Sequence, residues 1–126
     1  MAHEKKKLGD IGESTAANYL LRKGYNIIVK NFRYGRNAEI DIIAEINDTI
    51  VFVEVKTRTN DKFGTPAEAV DNRKQQKIIM AAEKFLQVNN FFDRACRFDV
   101  IEVFADNYID SNDWRINHIE NAFEVI

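Results

Sequence analysis

Asp41, Glu54 and Lys56 are the residues whose types and spacing suit chemistry. Glu54 and Lys56 interrupt Ile50-Val51-Phe52-Val53-Glu54-Val55-Lys56, a run that otherwise reads as a buried strand. Side chains alternate along a strand, so Glu54 and Lys56 point to one side and Val53 and Val55 to the other. Asp41 stands among isoleucines in a similar run just upstream. Charges in such strands are costly to bury unless they are paired or bound to a metal.

Two carboxylates and a lysine suit a divalent cation. Mg²⁺ takes oxygen ligands and keeps several waters, so one or two carboxylates suffice to hold it. Phosphodiester hydrolysis needs an attacking water and neutralised phosphoryl oxygens. A lysine near the metal would orient or deprotonate that water. Sharing one ion requires hairpin pairing that puts Asp41 and Glu54 on one face; a slip of one residue would separate them. Glu39 shares the Asp41 face by alternation, and Glu13 offers a further carboxylate from an upstream helix.

The elements that must position these residues are legible. Apolar residues at helical spacing predict a helix over 8–23, ended by Gly24. Gly9 and Gly12 near its start would allow another backbone to approach closely. Strands are expected at 25–34, with Ile27, Val29 and Asn31 on one face, and at 39–46 and 49–57. Gly35-Arg36-Asn37 and Asn47-Asp48 supply the turns between them. A polar loop over 58–67 leads to a long helix over 68–88, followed by strands at 97–104 and 114–119. A strand–helix–strand step predicts a right-handed crossover and parallel pairing. The expectation is one α/β domain over 1–126, a mixed sheet of about five strands covered by a helix on each face.

Composition narrows the class. The 126 residues suit a single domain of ordinary size. Cys96 is the only cysteine, which excludes an internal disulfide and a cysteine metal cluster and fits a reducing, cytoplasmic setting. The apolar runs are too short to span a bilayer, and no apolar core follows the basic start, so neither a membrane anchor nor a signal peptide is expected. The net charge of −2 conceals an asymmetry. Residues 1–77 carry 14 Lys and Arg against 11 Asp and Glu, whereas residues 78–126 carry 4 against 9. Positive potential can therefore gather in one region.

Asp followed by Glu-x-Lys on adjacent strands resembles the nuclease signature of the restriction-endonuclease-like superfamily, whose core order is helix, three strands, helix, strand. A closer resemblance covers nearly the whole chain. Gly12-Glu13-x-x-Ala16, Tyr19-Leu20, Gly24-Tyr25, Asn31-x-Arg33, Glu39-Ile40-Asp41-Ile42-Ile43-Ala44, Val51-Phe52-Val53-Glu54-Val55-Lys56-x-Arg58, Phe63-Gly64 and Arg97-Phe98-Asp99-Val100 resemble the YraN-type family of small bacterial proteins. That family is similar to archaeal Holliday-junction resolvases. The resemblance implies a restriction-endonuclease-like fold with Asp41, Glu54 and Lys56 as the catalytic set and Glu13 in support. It implies Mg²⁺ or Mn²⁺ on Asp41, Glu54 and Glu13, and DNA, including branched DNA, as substrate. Where the superfamily often has Pro before its Asp, this chain has Ile40, a position that is not a ligand.

Each reading has a plainer rival. Glu54 and Lys56 also make sense as a same-face ion pair. Arg58, Lys62, Arg73, Lys74 and Lys77 cluster around the loop after that strand, and a solvated face is the default for such charges. Beside a nuclease site they would hold phosphates. Gln75 and Gln76 are further contacts to weigh. Asp99 reads as a structural partner of Arg97; His3 and His118 look isolated. Tyr34, Phe63 and Trp114 are available to stack on bases, although packing is the default. The leading expectation is a Mg²⁺-dependent endonuclease, with a homodimer attractive because two strands need two sites. A non-catalytic nucleic-acid-binding module and a protein-interaction domain are its rivals.

Overall fold

Local chemistry sets each boundary in the computed structural model, which describes residues 2–59, 70–105 and 114–124, with backbone only for 2–6. Helix α1 (Ala2–Arg22) starts earlier than the apolar periodicity suggests. Gly24, at φ +93°, ends it in a left-handed turn that lets the Tyr25 N–H donate to the Leu20 carbonyl at 3.0 Å. Three strands follow: β1 (Asn26–Tyr34), β2 (Ala38–Ile46) and β3 (Thr49–Arg58). Asn47 and Asp48 both take positive φ, as a two-residue hairpin turn requires, and Ile46 pairs with Thr49 across it.

Helix α2 (Asn72–Val88) begins later than the expected start at 68, at least over the described residues 70 and 71. Asp71 is extended, and its side chain accepts the Lys74 N–H at 2.9 Å, the geometry of an N-cap. Strands β4 (Ala95–Phe104) and β5 (Arg115–Phe123) are the last of the described elements. β5 outruns its expected end at 119 because β4 still offers a partner, Phe98 opposite Phe123.

The strands form one mixed sheet in the order β1-β2-β3-β4-β5. Only β3 and β4 are parallel, as the intervening helix requires. Ala16, Ala17 and Leu20 of α1 cover Ile42, Ala44, Val51, Val53, Val55, Ile101 and Val103. Ile78, Ile79, Ala81, Ala82 and Phe85 of α2 cover Ile40, Ile43, Ile50, Phe52, Phe98 and Val100 on the other face. Burying such side chains stabilises the fold by roughly 1.5–3 kcal/mol each before entropy is counted. This is the expected α/β fold, a five-stranded mixed sheet with one helix on each face.

The expected facing of β1 fails. Ile27 packs on the α1 side while Val29 and Phe32 pack on the α2 side, so β1 does not alternate cleanly. The register shifts between Ile27 and Val29, and Asn31 adopts φ +57°. β2 slips at the matching place: Ile40 and Ile43 face α2, whereas Ile42 and Ala44 face α1. Asp41 sits at this slip. Of the two glycines expected to allow close approach, only Gly12 does so. A Cβ on Gly12 would collide with Thr57 Oγ1, while one on Gly9 would meet nothing within 4 Å among the described residues.

Candidate active site

β2 and β3 separate where the acidic residues lie. Their pairing runs from Ile46–Thr49 to Ile42–Val53 and then ends, whereas β3 stays paired with β4 through Arg58. Beyond Val53, therefore, β3 lacks a ladder partner on the β2 side. The Asp41 carboxylate takes that partner's place: Oδ2 accepts the Val55 N–H at 2.8 Å. A cavity of about 460 Å³ opens at the split, lined by Glu13, Asp41, Glu54, Thr57 and Arg58 among others. Gly12 sets its wall by letting α1 sit directly on Thr57.

Glu54 is buried, with its side chain 8% exposed. Lys74 Nζ lies 2.6 Å from its Oε1 and Lys56 Nζ 3.8 Å from the same oxygen. The Lys56 pairing answers to the shared face read from the strand. The Lys74 pairing depends on where α2 docks.

Crowded charge at low exposure shifts the titrations. Burial, then the neighbouring Glu54 charge, raises Asp41 to about 8, against the opposing Val55 hydrogen bond. Burial, then the ammonium of Lys74, lowers Lys56 to about 8. Burial also opposes the charge on Lys74, but Glu54 outweighs it and holds its pKa above the ordinary value. Glu13 is raised by burial first and then by Asp10, Glu39 and other nearby charges.

The structure thus brings Asp41, Glu54 and Lys56 together and puts Glu13 in the same cavity. Among the described residues no three His, Cys, Asp or Glu side chains converge into a metal-binding group, so Glu13 does not complete a cage. Two carboxylates with waters is a donor set that suits Mg²⁺ or Mn²⁺. Asp41's pKa is raised first by burial and then by the Glu54 charge, so a cation between the two carboxylates would favour their ionised forms.

Of the expected phosphate-binding cations, Arg58 lines the cavity and donates through Nε to Glu102 at 3.2 Å. Its Nη2 is buried and has no hydrogen-bond partner among the described residues. On α2, Arg73 stays exposed and Lys77 half-buried. Lys62 and Phe63 lie outside the described residues. Gln75 donates to the Val70 carbonyl at 2.8 Å, which employs it in the helix start. Glu39 pairs with Arg33 at 3.6 Å, apart from the central set.

Three features escape the sequence reading. One is Lys74 on Glu54. The second is Glu102, buried on β4 between Arg58 and Asn117, whose Nδ2 donates to it at 3.2 Å. Its signal, an acid within an apolar strand, was the one Glu54 gave. The third is His118, which is not isolated: Nε2 lies 2.7 Å from Asp99 and Nδ1 lies 3.0 Å from the Tyr19 hydroxyl. Asp99 also accepts from Arg97 Nε and the Asn121 N–H, each at 3.1 Å. Burial raises its carboxyl pKa, but these donors prevail and hold it below the ordinary value. The expected Arg97–Asp99 pair is present within this larger network. No described helix is long and apolar enough to cross a membrane.

Comparison with known proteins gives one consistent result. The family model described as "Uncharacterised protein family UPF0102" matches residues 12–103. A UPF0102 protein of Clostridioides difficile is 50% identical over 118 residues, covering 94% of this chain and 97% of the relative. One from Caldanaerobacter subterraneus subsp. tengcongensis is 49% identical over 119 residues, covering 94% and 96%. One from Alkaliphilus oremlandii is 51% identical over 120 residues, covering 94% and 98%.

Proposed function

This chain belongs to the UPF0102 family, the YraN-type family anticipated from its motifs, and from that premise we propose that it is a metal-dependent endonuclease acting on DNA. The observation that carries the reading is Asp41 and Glu54 lining one cavity where β2 and β3 part, with the Lys56 ammonium 3.8 Å from Glu54. Asp41 and Glu54 would hold Mg²⁺ or Mn²⁺, with Glu13 assisting from across the cavity. When bound, the ion would acidify a water and neutralise phosphoryl charge.

Lys56 orients the attacking water, and its lowered pKa suits it to take the water's proton near neutrality. Asp41, tied to the Val55 N–H, keeps its carboxylate in place on a rigid strand. Arg73 and Lys77, on the helix that brings Lys74 to Glu54, would contact phosphates without reading sequence. Arg58 lines the same cavity with an Nη2 that has no hydrogen-bond partner among the described residues. Cutting two strands of a branched substrate calls for two such sites, which a homodimer would supply.

One observation favours a second reading, a nucleic-acid-binding module without turnover: Lys74 already neutralises Glu54. Cleavage separates the two. Single-stranded, duplex, flap and four-way-junction DNA are incubated with Mg²⁺ or Mn²⁺ and the parent, Asp41→Asn or Lys56→Ala. The endonuclease reading expects a cut substrate and a loss of about a hundredfold or more in each variant. DNA bound but uncut throughout the panel, with binding indifferent to Asp41→Asn, would establish the binding module instead.

A further inference from the structure

Lys74 differs from the other cations of α2 in what it touches. Its ammonium lies 2.6 Å from Glu54 Oε1, well within hydrogen-bond distance, while Lys56 stands off at 3.8 Å. Glu54 has little freedom to leave. Its side chain is 8% exposed, and its strand is hydrogen-bonded to β4. Lys74 does have freedom. Its backbone is fixed by the Asp71 cap, but its side chain, a flexible four-carbon stem, is 39% exposed.

We propose that Lys74 is a tethered counter-ion of the site, holding the Glu54 oxygen that the divalent cation needs and yielding it when the cation binds. This rests on the metal-site reading above. Two cations cannot share one carboxylate oxygen at contact distance in a poorly solvated cleft without strong repulsion. The cation must therefore compete with Lys74, and the ammonium, once displaced, swings outward. Glu54 is kept neutralised and buried in the metal-free protein, which explains how a carboxylate survives at that depth beside Asp41. The displaced ammonium then lies within its own stem's reach of the cleft, free to meet a phosphate oxygen.

The test is a Mn²⁺ titration of the purified chain without DNA, read by calorimetry or by the loss of free-Mn²⁺ paramagnetic resonance. The parent is compared with Lys74→Met and with Lys77→Met, which removes a charge one turn along α2 that is not on Glu54. Lys74→Met is expected to bind Mn²⁺ about three- to fivefold more tightly than the parent, the upper range of a partly exposed ion pair. Lys77→Met is expected to stay within about twofold of the parent, because its charge is more distant and screened. Equal or weaker binding in Lys74→Met, or equal tightening in both variants, overturns the counter-ion while leaving the metal site standing. No Mn²⁺ uptake by any of the three chains overturns the metal site itself.

Discussion

Asp41→Asn should stabilise the metal-free protein while removing its cation site. Asn has nearly the same shape and keeps an oxygen for the Val55 N–H, so the splayed strands retain their bridge. What changes is the charge. Burial and Glu54 raise Asp41 from 3.8 to about 8. Between those two values the unfolded chain has released the proton and the native state still holds it. Native stability is then complete at low pH and declines as pH rises, by up to about 1.4 kcal/mol per unit, until the folded pKa is reached. From about pH 6 to about pH 8 this amounts to roughly 2 kcal/mol, which the Asn variant does not lose. Urea unfolding in EDTA at the two pH values measures the difference. Excess Mg²⁺ should then stabilise the parent by mass action and leave the variant unchanged. Parallel pH profiles for the two chains would refute the electrostatic account of Asp41.

Gly12→Ala adds a methyl that would collide with Thr57 Oγ1. The clash should outweigh the helix gain of about 1 kcal/mol, for a net loss of roughly 1 kcal/mol, and in a Thr57→Ala background the sign should reverse. Denaturation of the four chains checks this double-mutant cycle. Asp99→Ala leaves Arg97, His118 and the Asn121 N–H without their shared acceptor and should destabilise the fold by about 3–5 kcal/mol. The lowered Asp99 pKa gives the parent stability that is present above the ordinary carboxylate range and lost as pH falls from there through the folded value, so the stability gap between parent and variant should narrow in acid, as denaturation at graded pH measures. Arg73→Ala and Lys77→Ala should each weaken DNA binding uniformly across sequences and flatten its salt dependence by about one phosphate contact, as measured by fluorescence anisotropy at graded KCl.

Most of the fold was open to reading because its signals are local. The Asn47-Asp48 turn and the apolar alternation of β3 place the hairpin, and the same alternation puts Lys56 beside Glu54. The start of α2 was marked too, by Asp71 ahead of a polar first turn, but a longer apolar stripe obscured it. The relation between Asp41 and Glu54 was not legible. It depends on β2 slipping phase between Ile40 and Ile42 and leaving β3 beyond Val53, which no two-residue period encodes. Lys74 reaches Glu54 through the docking of a helix, and His118 reaches Asp99 through the register of two strands. Such pairings arise from tertiary packing, so residues 19 or 20 apart look unrelated in the sequence.

The most direct measurement is anomalous diffraction from crystals of the protein soaked in Mn²⁺. The account predicts a manganese peak in contact with both Asp41 and Glu54, and the Lys74 ammonium moved off Glu54 Oε1. A saturated soak with no peak between those carboxylates, and Lys74 still seated on Glu54, would contradict it.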